Sequence, residues 1–312
     1  MTAPQGQDIA VSVSGLTRTF GTFRAVDGID LAVARGEVFG FLGPNGAGKS
    51  TTIRMLCGLL LPSAGSGTVG GFDIMKRSEE IKKNIGYMSQ RFSLYDDLTV
   101  EENIDFFSGI YGVADEKKAE RKEWVLEMAG IADKRAAITR TMASGFKQRL
   151  ALGCAVIHEP PIIFLDEPTS GVDPISRRRF WDLIYEMSSR GTTVFVTTHY
   201  LDEAEYCDRL ALIYRGRIIA EGRPDVMKKE HMEKDVLEVS VTAVVEALDV
   251  LGERGFDAAL FGNVIHATVD DAATAIPVVR SSLESAGIAV LDVTVVPPSL
   301  EDVFVSLIEA FS

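Results

Sequence analysis

The sequence predicts an α/β protein: a mostly parallel β-sheet covered by helices on both faces, followed by a smaller α+β unit. Three observations lead there. A glycine-rich stretch, Gly43-Pro44-Asn45-Gly46-Ala47-Gly48-Lys49-Ser50-Thr51, separates an apolar strand-like run (38–42) from a helical run (52–56). Strand patterns then alternate with helical ones to about residue 222, the order that builds a parallel sheet. After residue 230 both the pattern and the charge change.

Residues 9–14 alternate as an edge strand, and 26–33 continue with a second strand pattern around Gly28. Beyond the glycine stretch and its helix, 65–71 reads as a loop. The run 85–90 reads as a short buried strand. From Val100 to about Arg140 the pattern is helical, with charged blocks such as 115–122 on solvated faces. A strand at 162–165 precedes a helix over 174–190. That helix has Asp173 as its N-cap, Pro174 in its first turn and Gly191 just past its end. A strand at 193–197 follows, and 210–214 with 217–220 forms a hairpin around Arg215-Gly216. In such a sheet a ligand lies at the carboxyl ends of the strands, where the glycine stretch sits.

The remainder reads as strand (236–241), helix (244–251), a hairpin (258–261 and 264–269), helix (274–286) and strand (290–295). That βαββαβ order predicts a small ferredoxin-like unit. A last helix starts at Ser299, with Asp302 completing a capping-box spacing. Its apolar stripe, Leu300, Val303, Phe304, Leu307, Ile308 and Phe311, reads as domain core. The expected domains are thus 1–230, with a helical subdomain over about 91–160, and 231–312.

Composition bounds the function classes. The chain has 312 residues, 46% of them hydrophobic, enough for two domains with sizeable cores. No stretch approaches the roughly 20 apolar residues of a membrane-spanning helix, and the first residues lack the blocks of a secretory signal. The three cysteines, Cys57, Cys154 and Cys207, have no metal-ligand spacing and read as reduced thiols. A cytoplasmic protein is therefore expected, one that meets a membrane only through a partner. Of the net charge of −13, −11 falls after residue 230, where 14 acidic residues face 3 basic ones. That acidity disfavours nucleic acid and anionic lipid as partners of this part.

The chemistry is carried by a spaced set of residues. Glycines in 43–51 let successive backbone N–H groups surround a polyphosphate at a helix N-terminus. Lys49 can reach the terminal phosphates, and the Ser50 hydroxyl can hold Mg²⁺. The strand 162–165 ends in two carboxylates: Asp166, placed to orient Mg²⁺ beside the loop, and Glu167, placed as a general base toward water. His199 follows another strand and can contact a γ-phosphate, and Gln90 also follows a strand.

In this order the residues resemble the ATP-binding subunit of ABC transporters, from about Ile9 to Gly222. The resemblance implies a P-loop NTPase core of ABC ATPase type with a helical subdomain, ATP and Mg²⁺ as ligands, and hydrolysis of ATP. It makes Phe20 the aromatic that stacks on adenine and 43–51 the Walker A loop. Gln90 becomes the glutamine linking Mg²⁺ to the membrane subunit, Asp166 and Glu167 the Walker B pair, Asp173 the D-loop aspartate and His199 the switch histidine. The family signature, Leu-Ser-Gly-Gly-Gln, is replaced by Met142-Ala143-Ser144-Gly145-Phe146, in register with Gln148-Arg149. In the family this segment caps the γ-phosphate held by the opposing subunit. Here Ala143 has no hydroxyl, Ser144 carries one a residue late, and the Gly145 N–H remains. A lost charge-assisted hydrogen bond weakens such a contact by roughly 1.5–3 kcal/mol.

The stretches 39–45, 168–174, 198–205 and 298–304 look like exporter ATPases of the drug-resistance type. That likeness implies two ATPase subunits, a homodimer, peripheral on the inner face of the cell membrane and working with separately encoded six-helix permeases. The cargo is chosen by the permease and is not identified by this sequence; the likeness implies one of drug-like or lipophilic type. The permease is expected to dock at 91–102, where Phe92, Leu94 and Tyr95 are apolar. Two alternatives stand beside it. One is a catalytically weak partner subunit of a heterodimer, suggested by Ala143. The other is a soluble ABC-type ATPase acting on ribosomes or DNA. Against the latter, the chain has one phosphate loop, and only 93 positions separate Ser50 from Ala143.

Overall fold

The computed structural model describes residues 8–90, 94–231 and 234–311. The Cα packing divides the chain into two compact units, Met1–Arg223 and Pro224–Ser312. This division falls seven residues before the expected boundary at 230.

In the first unit, β1 (Ile9–Phe20) and β2 (Phe23–Ala34) form a hairpin, and β3 (Val38–Leu42) runs into the glycine loop and α1 (Lys49–Leu56). Then come β4 (Ala64–Val69), β5 (Phe72–Asp73), α2 (Ser78–Lys83) and β6 (Ile85–Met88). Helices α3 (Val100–Ile110), α4 (Asp115–Met128) and α5 (Ser144–Ala155) precede β7 (Ile162–Asp166), α6 (Pro174–Ser189) and β8 (Thr193–Thr198). A hairpin of β9 (Arg209–Tyr214) and β10 (Arg217–Gly222) closes the unit.

Six strands form one sheet in the order β10-β9-β3-β8-β7-β6, all parallel except the β10–β9 pair. Its central strands are buried on every residue because both faces are covered. Alternation sends Phe39, Phe41, Ile162, Phe164 and Phe195 to one face, against Ile53, Met55 and Leu56 of α1 and the apolar side of the β1–β2 hairpin. The rings of Phe39, Phe41 and Phe164 each lie 5.5–5.6 Å from that of Phe195. Val38, Ile163, Leu165, Val194 and Val196 face the other way, onto Leu150 and Leu152 of α5 and Phe180, Trp181 and Ile184 of α6. The three thiols are buried and free.

Two local expectations need correction. The stretch 64–69 is a strand, not a loop: it pairs antiparallel with β1, Val69 against Val11 and Gly67 against Val13, in a separate sheet of order β2-β1-β4-β5. Its glycines look loop-like, yet they permit the pairing. A Cβ on Gly65 would lie 2.4 Å from the Gly15 carbonyl oxygen, and one on Gly67 2.4 Å from that of Ser12. The helical region 100–140 is interrupted at Gly112 and Gly130 (φ 65° and 63°). It gives α3, α4 and two short 3₁₀ turns. Thr99 starts α3 with a reciprocal capping box to Glu102.

The second unit begins with α7 (Pro224–His231), which packs against the last helix. It continues with β11 (Asp235–Val241), α8 (Val244–Glu253), β12 (Asp257–Phe261), β13 (Val264–Val269), α9 (Ala272–Ser285), β14 (Val290–Val296) and α10 (Leu300–Phe311). The antiparallel order β12-β13-β11-β14 is the ferredoxin-like arrangement. Leu237 and Val239 face α8 and α9, whereas Val236, from the opposite side of the same strand, packs on Val303 of α10. Ser299 and Asp302 make the expected capping box: Ser299 N donates to Asp302 Oδ2 at 2.7 Å and Asp302 N to Ser299 Oγ at 3.2 Å. Within the apolar stripe Leu300 and Val303 are buried, while Phe311 is exposed.

Candidate functional site

Because β3, β8, β7 and β6 are parallel neighbours, their carboxyl ends deliver the glycine loop, His199, the Asp166–Glu167 pair and Gln90 to one edge of the sheet. At Gly43 and Gly48 the loop leaves no room for side chains. Gly48 has φ 112°, and a Cβ there would lie 2.5 Å from the Ala25 carbonyl oxygen; a Cβ on Gly43 would lie 2.2 Å from that of Ile213. Ala47 tucks inward, its N–H donating to the Pro44 carbonyl at 3.2 Å.

Lys49 is buried at 4% exposure. Its Nζ donates to the carbonyls of Gly43 (2.7 Å) and Pro44 (3.2 Å) and lies 3.2 Å from Glu167 Oε1. The ammonium thus curls back onto its own loop. Asp166 Oδ1 accepts from Ser50 Oγ at 3.1 Å and from Thr197 Oγ1 at 2.7 Å. Burial pushes the Asp166 carboxyl above its ordinary range, and these two bonds, with Lys49, oppose that rise.

Glu167 takes the left-handed backbone at φ 48°, a conformation that costs a non-glycine residue on the order of 1–3 kcal/mol. Its N–H donates to the carbonyl oxygen and Oγ1 of Thr197, at 3.1 and 3.0 Å, which fixes the turn. The side chain is then held on three sides. Oε1 meets Lys49, while Oε2 accepts from Gln90 Nε2 at 2.8 Å and lies 3.1 Å from His199 Nδ1.

In front of this cluster lies a cavity of about 460 Å³, lined by Phe20, Asn45, Gly46, Gly48, Lys49, Ser50, Thr51, Gln90 and Glu167. Phe20 is half exposed at its rim, with the Arg18 guanidinium 4.6 Å over its ring. Ser50 Oγ and the Asp166 carboxylate are adjacent hard oxygens, the donor type that suits Mg²⁺ completed by substrate phosphates. Among the described residues no group of three His, Cys, Asp or Glu could hold a metal unaided.

Ser144, Gly145 and Asp173 do not line this cavity. They lie where the N-termini of α5 and α6 meet. Ala143 caps α5 without a side-chain bond, Ser144 is exposed, and Gly145 is pressed so closely on α6 that a Cβ would lie 2.5 Å from Ser176 Oγ. Asp173 caps α6, accepting from Ser176 N at 2.9 Å. Two residues escaped the sequence reading. Phe23, exposed and lining the cavity, pairs with Phe20 across the β1–β2 turn, as a two-residue connection dictates. Thr197 carries a hydroxyl that only the β7–β8 pairing turns toward Asp166.

A glycine loop with its lysine, and a strand-end carboxylate pair beside it, define a P-loop nucleoside triphosphatase. The family profile described as "ABC transporter" matches residues 26–170. The probable multidrug ABC transporter ATP-binding protein YbhF of Escherichia coli is 51% identical over 223 residues, 72% of this chain and 39% of that protein. The daunorubicin resistance ATP-binding protein DrrA3 of Streptomyces coeruleorubidus is 36% identical over 303 residues, 96% of both chains. Among solved structures, a dimeric post-hydrolysis state of the ATP-binding cassette MJ0796, bound to ADP and Pi, superposes with a TM-score of 0.62 at 26% identity. It covers 68% of this chain and 98% of that one. The chain belongs to the family of ABC transporter ATP-binding proteins. It spans about two-fifths of the length of the YbhF relative.

Proposed function

We propose that this chain is the ATP-binding and ATP-hydrolysing subunit of an exporter, working as a pair of cassettes beneath separate permease subunits. The observation that carries the reading is Glu167, which meets Lys49, Gln90 and His199 at the mouth of the phosphate loop. In this reading the loop N–H groups and Lys49 bind the phosphates of ATP, and Phe20 stacks on adenine. Glu167 takes the proton of the attacking water, and His199 orients Glu167 and contacts the γ-phosphate. Ser50, Asp166 and Gln90 would hold Mg²⁺, which supplies charge neutralisation on the phosphates when bound.

Ser144, Gly145 and Asp173 lie outside the cavity, so their service would be to the nucleotide of a second subunit. The dimeric MJ0796 cassette supports such a pairing. ATP shifts the pair toward closure only as far as it binds the closed form better. The names of the relatives point to drug-like cargo and, in a Nod factor export ATP-binding protein of Rhizobium sp., to export. No helix among the described residues is long and apolar enough to cross a membrane, which suits attachment through a permease. Of the expected docking residues, Phe92 lies outside the described residues and Leu94 belongs to the core. Tyr95 is exposed and edge-on to the exposed Phe106 at 4.5 Å, and these two rings are the proposed contact.

Glu167→Gln is the test: turnover of ATP should fall on the order of 10²–10⁴-fold with nucleotide binding retained. A rate left unchanged refutes the assignment. The uncapped Ala143 favours, as a second reading, a weaker partner in a heterodimer. Copurification of a different cassette with the permease would select it.

A further inference from the structure

Behind the Glu167–His199 contact lies a buried charge cluster that the chemistry above leaves unused. Glu203, on the short 3₁₀ stretch Leu201–Tyr206 that follows β8, has 0% exposure. Its Oε1 accepts from Thr169 Oγ1 at 2.5 Å and lies 3.4 Å from Arg177 Nε, while its Oε2 is buried without a hydrogen-bond partner among the described residues. Arg177 in turn reaches Asp202 Oδ2 at 3.3 Å and places its guanidinium 4.3 Å over the Tyr200 ring.

The positions of these partners give the cluster its meaning. Thr169 lies two residues beyond Glu167, in the turn that the left-handed Glu167 begins. Tyr200, beneath the Arg177 guanidinium, directly follows His199, and Glu203 itself lies on the stretch that begins one residue later. Arg177 belongs to the first turn of α6, next to the Ser176 that touches Gly145. One carboxylate therefore ties together the turn carrying the base, the turn carrying the histidine and the start of α6. Packing alone needs no carboxylate here, since an apolar side chain of equal volume fills such a space without desolvating a charge.

We propose that Glu203 is a positioning residue for ATP hydrolysis, holding the Glu167 and His199 turns in register from behind so that their 3.1 Å contact persists. This rests on the hydrolytic reading above.

The experiment uses the full chain and compares Glu203→Leu, Glu203→Gln, His199→Ala and the Glu203→Leu/His199→Ala double variant. Readouts are kcat, KM for ATP, and the ¹H–¹³C spectrum of the histidine rings. Glu203→Leu should lose about ten- to a hundredfold in kcat, the scale of a small misplacement of catalytic groups. KM should change by no more than about twofold. Glu203→Gln, whose Oε1 can still accept from Thr169, should recover most of the loss. In the His199→Ala background Glu203→Leu should cost nothing further, because the two act through one contact. The His199 ring resonance should move in Glu203→Leu, and that of His266 in the other unit should not. Wild-type kcat in Glu203→Leu, or a loss that multiplies fully with that of His199→Ala, overturns the proposal. If Glu203→Leu does not fold, Thr169→Val must reproduce the pattern, and wild-type kcat there overturns the proposal equally. Absence of ATPase in the wild type would defeat the hydrolytic reading alone. The His199 resonance would then still decide the role of Glu203: movement upholds it and constancy removes it.

Discussion

Thr197 offers a quantitative test of how the carboxylate pair is held. Its Oγ1 is fully buried, donates to Asp166 Oδ1 at 2.7 Å and shares the Glu167 N–H with its own carbonyl. Thr197→Val keeps the shape and opens no cavity. The Glu167 N–H retains the carbonyl oxygen of residue 197 as a partner, and Ser50 still donates to Asp166. What disappears is the hydrogen bond to a buried carboxylate, worth about 1.5–3 kcal/mol, together with one arm of the shared Glu167 N–H bond whose other arm remains. For a unit of this size that lowers Tm by roughly 3–12 °C, at about 2–4 °C per kcal/mol.

Scanning calorimetry of the full chain at several pH values reads the effect and its sign. The folded-state pKa of Asp166 already lies above the ordinary carboxylate value because of burial, and the Thr197 bond pulls it down. Losing that bond raises it further. The extra destabilisation should therefore be complete above the variant's folded-state pKa and shrink as pH falls through the wild type's. A Tm equal to wild type at neutral pH refutes the reasoning, as does a loss independent of pH.

Gly145→Ala should destabilise by about 1–3 kcal/mol through overpacking on Ser176, and it should weaken ATP-dependent pairing as measured by light scattering. Gly252→Ala in α8, where nothing lies within 4 Å of the added Cβ, should instead stabilise by up to about 1 kcal/mol, read by denaturant midpoint. Ser299→Ala should cost about 1 kcal/mol by removing half of the α10 capping box. That loss should appear as faster hydrogen exchange in the first turn of α10.

The phosphate loop, the paired carboxylates and the helix caps were legible from residue order because each is a short-range device. Gly48 is needed for a left-handed backbone beside a crowded carbonyl, and Asp173 and Ser299 cap helices that begin at the next residue. Two-residue connections likewise announce their hairpins, as at 262–263. The stretch 64–69 was not legible. Its glycines and serine have no strand propensity, and only β1, some fifty residues earlier, provides the ladder they complete.

The same division holds at the site. Residue order alone brought out the side chains proposed to carry the chemistry: Lys49, Ser50, Asp166, Glu167 and His199 each stand at the end of a strand or the start of a helix, a property of their immediate neighbours. The tertiary structure decided how those side chains are held. Thr197 meets Asp166 because β7 and β8 are adjacent, Phe23 joins Phe20 at the cavity, and Glu203 reaches Thr169 across 34 positions of chain. Such partners leave no local trace, because a hydroxyl or carboxylate gains its meaning from whatever strand the sheet brings beside it, and strand order follows from burial of the whole core.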